Sequence, residues 1–380
     1  MIDHRTGPRL RFEEEVLFAL RALYSKYGYS CYRMNKFEEY DLYVNYRDFL
    51  VGEGVITFTD TNGRLMALKP DVTLSIVKHI KDEPGVVHKL YYNENVYRVS
   101  QKTHRFKEIM QVGLECIGAI DTYCICDVLT LAAESLRRIS PHCVLDISHL
   151  GIISSIIEGF SFSDGARKRV LKYISEKNIH ELKEFCEQSG VEENKTSVLL
   201  RLVDLCDPPA IAMPKLRELL SVTGSPTIRN CLRRLEEVVA LLDDAGLSDI
   251  LRIDFSVVND LNYYNGIVFR GFVEGAPVGV LSGGQYDRLM KKMKHQSGAI
   301  GFAIYLDQLE RLAPESRKYD VETLLLYSRE DDPAQVRRAV EKLTSDGSSV
   351  MAQKEIPAGI RYKKLMRLNG SEVEPIEDDA

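Results

Sequence analysis

Apolar residues recur every three or four positions from Glu13 to Tyr27, at Val16, Leu17, Leu20, Leu23, Tyr24 and Tyr27, and Gly28 follows. That spacing puts one apolar stripe on a helix, and glycine just past its end suits the left-handed cap that stops it. The period then shortens. VITFTDTNGRLMALK carries Asn62-Gly63 between two β-rich runs, a dipeptide that supplies the positive φ values of a tight hairpin, so two antiparallel strands are expected there. Further β-like runs occupy 89–99, 108–118, 143–147, 251–258, 266–273 and 277–283. No helical pattern separates each pair, which argues for a mostly antiparallel sheet flanked by helices.

Between residues 151 and 247 the periodicity turns helical, in ARKRVLKYISEK, IHELKEFCEQ, KTSVLLRLVDLC and TIRNCLRRLEEVVALLDDAG. This stretch divides the strand series into 1–150 and 248–314. Its basic positions, Arg167, Lys168, Arg169 and Lys172, then Arg229, Arg233 and Arg234, are interleaved with acids and read as solvated helix faces. After a linker-like ESRKYD, VETLLLYS predicts a buried strand and Pro333 to Thr344 a helix. The segment 321–380 has room for a strand–helix–strand fragment and is short for an independent α/β domain. No internal repeat is present.

Composition narrows the class without naming it. The 380 residues suit two or three domains, and 44% hydrophobic with 28% charged is ordinary globular usage. No run reaches the roughly 18 apolar residues of a membrane span, and MIDHRTGPRLRFEEE lacks an apolar signal core, so a cytoplasmic protein is expected. A net charge of −6 gives no overall attraction for polyanions. The eight cysteines, Cys31, Cys116, Cys124, Cys126, Cys143, Cys186, Cys206 and Cys231, have neither CxxC pairs nor histidines at zinc spacing. They read as reduced thiols.

Four segments concentrate polar residues on otherwise apolar runs: Lys69-Pro70-Asp71-Val72-Thr73; Arg98 with Gln111 and Glu115; Asn259-Asp260-Leu261-Asn262-Tyr263-Tyr264; and Gly283-Gly284-Gln285-Tyr286-Asp287. Gln111, Gly113 and Glu115 alternate and share one strand face. A carboxylate and an amide buried there need partners, supplied either by a salt-bridge or amide network filling the core or by a ligand.

In this order the segments resemble the core of class II aminoacyl-tRNA synthetases, in particular the histidyl-tRNA synthetases and their paralogues, the regulatory subunits of ATP phosphoribosyltransferase. The likeness covers about residues 8–312 apart from the helical stretch. KLYYNENVYR with QVGLECIG resembles motif 2 and its following strand, NDLNYYNGIVF the histidine-specific segment, and GGQYD with GAIGFAIYL the approach to motif 3. The resemblance implies an α+β fold with an antiparallel sheet flanked by helices, a helical insertion and a small, truncated α/β C-terminal segment. It also implies a histidine pocket in which Asp71 and Thr73 hold the amino group, Gln111 and Glu115 complete the amino-acid site, and Tyr263, Tyr264 and Tyr286 line it. Arg98 remains to bind a carboxylate or phosphate.

The departures fall on the nucleotide side. Asn259 stands where the synthetases carry an activating arginine, and an amide does not offset phosphate charge as a guanidinium does. Ser100 takes the place of the motif 2 glutamate, and the loop from Arg98 to Gln111 is a residue shorter. Gln308 takes the arginine position of motif 3 unless the alignment slips one helical turn to Arg311. Asn35 replaces the motif 1 proline. The resemblance with these departures implies a non-catalytic regulatory subunit that binds L-histidine and confers feedback inhibition on a short catalytic subunit, whose activity in the complex requires it. It implies a homodimer within a hetero-oligomer, with no cofactor, metal or tRNA. The alternative is a histidine–tRNA ligase, or another synthetase-like ligase, with an atypical ATP site relying on Arg98 and Arg311.

Overall fold

The structure, a computed structural model, describes residues 11–50, 54–100, 103–258, 263–309, 312 and 319–376. They belong to two compact units, Val16–Arg311 and a second that holds the stretch from Leu312 onward.

The larger unit begins within α1 (Phe12–Lys26), a helix whose first turn carries Glu13, Glu14 and Glu15 and whose last carries Lys26, the charge order that suits a helix dipole. Gly28 follows at φ 82°, the left-handed value its lack of a side chain permits. Then come β1 (Ser30–Cys31), β2 (Phe37–Glu39), α2 (Tyr40–Asn45), β3 (Thr57–Thr59), β4 (Leu65–Leu68) and α3 (Val72–His79). The Asn62-Gly63 turn joins β3 to β4 as expected, with Thr59 opposite Leu65 and Gly63 at φ 79°. Next are β5 (Val87–Val99), β6 (Phe106–Gly118), α4 (Thr122–Ile139) and β7 (Cys143–His149). The helical insertion supplies α5 (Leu150–Glu158), α6 (Asp164–Ser175), α7 (Ile179–Gln188), α8 (Glu193–Asp204), the short β8 (Cys206–Asp207), α9 (Pro209–Ser221) and α10 (Pro226–Asp244). The chain returns through β9 (Leu251–Asp254), β10 (Ile267–Val273), β11 (Leu281–Gln285), α11 (Asp287–Lys292) and β12 (Gly298–Tyr305).

Nine of these strands form one sheet in the order β1-β5-β6-β12-β11-β10-β7-β9-β8. Its pairings are antiparallel except β1 with β5 and β7 with β9, which makes a mixed sheet of mainly antiparallel character. The strand series interrupted by the insertion is therefore one continuous sheet. A smaller sheet, β2-β4-β3, adjoins α2.

Two expectations needed trimming. The run 251–258 is strand only to Asp254, where the Asp254 carboxylate accepts from Ser256 N and turns the chain. The run 277–283 becomes β11 only from Leu281. The 18-residue α4 has no counterpart in the periodicity reading, although Asp121 caps it by accepting from Cys124 N and Arg137 and Arg138 occupy its last turn. It packs on β7, β10 and β12, where Gly271 leaves room for Leu136: a Cβ on that glycine would stand 2.7 Å from a Leu136 methyl.

The second unit is richer than the expected strand–helix–strand fragment. β13 (Val321–Leu326), α12 (Pro333–Thr344), β14 (Val350–Gln353), β15 (Tyr362–Asn369) and β16 (Glu372–Pro375) give a four-stranded sheet in the order β14-β13-β15-β16. Its core centres on Leu325, Ala339 and Leu368. The later strands escape a hydrophobicity reading because β15 exposes Lys363 and Lys364 before its first buried leucine, Leu365, and Arg367 before its second, Leu368. Among the described residues no helix is long and apolar enough to cross a membrane.

Leu136 is fully buried between α4 and the sheet. Leu136→Ala is expected to cost about 2–5 kcal/mol, the range for a truncated core leucine whose site cannot collapse. The urea midpoint should fall with its slope unchanged; an unmoved midpoint would contradict this packing.

Candidate functional site

Across the middle of the nine-stranded sheet the register places small residues opposite one another. Gly113 of β6 faces Ala303 of β12, Ala303 faces Ser282 of β11, and Glu115 faces Gly301, which in turn faces Gly284. A Cβ on Gly301 would overlap Glu115 Oε2, and one on Gly113 would overlap Tyr92 Oη. The glycines thus clear a depression in the sheet, and larger side chains wall it. The result is a cavity of about 340 Å³.

All eight residues singled out from the sequence line it: Asp71, Thr73, Arg98, Gln111, Glu115, Tyr263, Tyr264 and Tyr286. Asp71 and Thr73 arrive together because they open α3, where the Asp71 carboxylate accepts from Leu74 N at 2.8 Å. Pro70 immediately before fixes the approach, and its carbonyl accepts from Arg98 Nε at 2.9 Å. Below this corner Lys69 is wholly buried and donates to Glu94 Oε2 at 2.9 Å. Gln111, Gly113 and Glu115 share one face of β6, as their alternation predicts.

The innermost group is Glu115, 2% exposed. Thr73 Oγ1 donates to its Oε1 at 2.7 Å and Tyr286 Oη to its Oε2 at 2.6 Å. Burial nevertheless pushes its carboxyl up to about 8, with the nearby Asp71 adding to the rise and the two hydroxyl donors only partly offsetting it. Burial raises Asp71 as well, against the Leu74 N–H and the Arg98 guanidinium. The tyrosines form one aromatic wall, Tyr263 lying 4.7 Å from Tyr264 and 5.7 Å from Tyr286 between ring centroids.

Four lining residues with polar side chains were not among the candidates: Tyr92, Arg270, Ser282 and Tyr305. Tyr305 lies opposite Gln111, and Arg270 opposite Ser282. Each belongs to a run already read as strand or motif, and alternation offered a face for each. What was missing was which strands are neighbours. With them the cavity is dipolar: Glu115 and Asp71 supply negative charge, and Arg98 and Arg270 supply positive charge around Tyr305, whose hydroxyl both guanidiniums influence. Such a cavity fits a small zwitterion with an ammonium and a carboxylate. No group of three histidine, cysteine or acidic side chains is arranged to hold a metal ion among the described residues.

A family model for histidyl-tRNA synthetase matches residues 2–309. The chain belongs to the histidyl-tRNA synthetase family. Among curated relatives it is 25% identical over 319 residues to a protein named ATP phosphoribosyltransferase regulatory subunit from Oceanobacillus iheyensis, covering 81% of this chain and 77% of that one. It is 27% identical over 339 residues to a protein of the same name from Caldanaerobacter subterraneus subsp. tengcongensis, covering 87% and 86%. Of solved structures, it superposes on one described as an ATP phosphoribosyltransferase regulatory subunit/histidyl-tRNA synthetase from Bacillus halodurans with a TM-score of 0.77, at 22% identity, covering 97% and 98% of the two chains. It superposes on a chain of the ATP phosphoribosyl transferase (HisG:HisZ) complex from Thermotoga maritima with a TM-score of 0.59, at 20% identity, covering 78% and 97%. These likenesses establish the class II synthetase fold and agree with the resemblance read from the motifs.

Within that family frame the nucleotide-side departures have structural counterparts. Ser100 is buried, its N–H donates to Arg105 O, and its hydroxyl accepts from Thr103 N, so it closes the turn between β5 and β6. Gln308 does not line the cavity; its amide donates to Asp307. It sits in a short 3₁₀ turn, Leu306–Gln308, where the motif comparison supposed a helix. Asn259 and Arg311 lie outside the described residues.

Native Glu115 holds its proton to about 8, whereas the unfolded chain releases it near 4.5. The native state then binds more protons between these values, so this group makes stability fall as pH rises through that window. The empty protein should lose on the order of a few kcal/mol more than Glu115→Gln between about pH 5 and pH 8. Urea unfolding at several pH values measures this; parallel curves for the two proteins would mean Glu115 is already ionised.

Proposed function

We propose that this chain is a non-catalytic regulatory subunit of ATP phosphoribosyltransferase, which binds L-histidine in the cavity and confers feedback inhibition on a short catalytic subunit. The observation that carries the reading is the pairing of an amino-acid-sized dipolar cavity with a chain whose relatives bear the regulatory-subunit name. Asp71 and Glu115 would meet the α-ammonium, the phenol wall and Gln111 the rest of the ligand, and Arg98 its carboxylate. Forming these charge-assisted contacts returns to Glu115 the stabilisation that burial took away, so binding would draw it to its ionised form.

The nucleotide side supports a sensor over a catalyst. Ser100 is committed to a turn and Gln308 points to Asp307, and losing one electrostatic donor typically costs about 10²–10³ in rate. A site that retains its amino-acid contacts while Ser100 and Gln308 are engaged elsewhere would bind without consuming. Transfer chemistry would then reside in the catalytic partner, with the regulatory chain acting as a homodimer inside the hetero-oligomer and having no use for tRNA. If histidine favours one state of the complex, the partner's state must alter histidine affinity by the same factor.

The competing reading is a histidine–tRNA ligase, favoured by Arg98 and Arg270 lining one cavity, since two guanidiniums there serve a phosphate as well as a carboxylate.

Purified chain tested for histidine-dependent exchange of pyrophosphate into ATP, with histidine binding followed by calorimetry, separates the two. Binding without exchange is the expected result, and exchange at synthetase rates would establish the ligase instead. In the assembled complex, Glu115→Gln should weaken histidine binding by about 10- to 100-fold, the scale of a lost charge-assisted contact, and relieve inhibition while assembly persists. Unchanged inhibition in that variant would remove Glu115 from the pocket's function.

A further inference from the structure

A second cavity, of about 930 Å³, lies where the insertion meets the core of the larger unit. The sequence reading leaves Arg167, Lys168 and Lys172 on a solvated helix face with Arg169. The structure separates them. Arg169 lies over the Phe185 ring at 5.3 Å, while Arg167, Lys168 and Lys172 turn into the cavity, flanking Leu171 on α6. Arg288 and Lys292, one turn apart on α11, line the same space.

Five cations thus converge on one concavity, Arg288 among them already partnered, against two carboxylates among the described lining residues, Glu158 and Asp164. Arg167, Lys168 and Lys292 make no ion pair among the described residues, and Lys172 has only an exposed one to Glu176 at 3.9 Å. Arg167 Nε is buried and makes no hydrogen bond among the described residues. Like charges gathered in a recess repel one another, and a buried guanidinium N–H without an acceptor costs desolvation, so both observations call for an anion. The rest of the lining is different in kind: Ile157, Val258 and Phe49 are buried apolar side chains. An apolar wall beside a cationic cluster suits a flat ring joined to several phosphates. The volume is that of a small-molecule site, about 300–1,000 Å³, rather than of a charged stripe tracking a polynucleotide.

We infer that this cavity is a nucleotide site, taking a nucleoside di- or triphosphate with its base against Phe49, Val258 and Ile157 and its phosphates among Arg167, Lys168, Lys172, Arg288 and Lys292. It is distinct from the first cavity, although Phe49 meets Tyr263 edge-on at 6.1 Å between ring centroids. The inference does not depend on which amino acid the first cavity holds.

Calorimetric titration of the full chain at low salt with ATP, ADP, adenosine and tripolyphosphate tests it. ATP should bind more tightly than ADP, tripolyphosphate should compete with ATP, and added salt should weaken both. Lys168, Lys172 and Lys292 are exposed at the rim, so their alanine variants should retain the wild-type melting temperature. Each should weaken ATP by about tenfold, whereas Arg98→Ala, in the first cavity, should leave ATP binding unchanged. Three outcomes would overturn the inference: no binding of ATP or tripolyphosphate; ATP binding lost in Arg98→Ala and intact in the lysine variants; or lysine-dependent binding of a single-stranded RNA with none of ATP.

Discussion

Everything around the first cavity depends on keeping one carboxyl group, that of Glu115, in the interior of a sheet. A carboxylate there has lost water, and two hydroxyl donors restore only part of what it lost. The surrounding architecture is fitted to that group. Gly301 makes room for its oxygens, Thr73 reaches it because Asp71 caps the start of α3, and Tyr286 reaches it from the end of β11. Moving any one of these elements by a residue would leave a buried acid with a single donor or a side chain overlapping it.

The same constraint bears on what the cavity does. Glu115 is held in a neutral form that a cationic group can convert to the charged one, so the site gains most from a ligand bearing an ammonium. Gln111, Arg98 and Arg270 offer the complementary half. On the nucleotide side the chain has spent the corresponding positions on itself: Ser100 in a turn and Gln308 on a neighbouring aspartate. The first cavity thus pairs buried acids and phenols with two guanidiniums, and neither Ser100 nor Gln308 is among its lining residues. The second, basic cavity is built from different elements, α6 and α11 with the apolar side chains between them.

Much of this was readable along the chain. α1 with its glycine stop, the Asn62-Gly63 hairpin and the long β5 and β6 follow from periods of 3.6 and 2 and from turn chemistry, all short-range signals. The eight candidate residues also come out together, because strand alternation ties Gln111 to Glu115 and motif order ties the rest. The failures differ in origin. β12 was seen as a motif and not as a central strand, and β15 was hidden by its lysines, because each is defined by what it packs against; α4 was passed over although its apolar spacing, its Asp121 cap and its basic last turn are local signals.

By itself, then, the sequence determined most helices and strands of the larger unit, the family resemblance and the chemical character of the pocket's acids, amide and phenols, since those depend on residue type and near neighbours. Only the tertiary structure decided that β12 lies between β6 and β11, that Arg270 and Tyr305 join the cavity, and that three basic residues of α6 meet two of α11 in a recess. Those facts rest on contacts between segments far apart in the chain. Such contacts are chosen by the burial of whole faces at once, a property of the folded ensemble of elements that no local pattern carries.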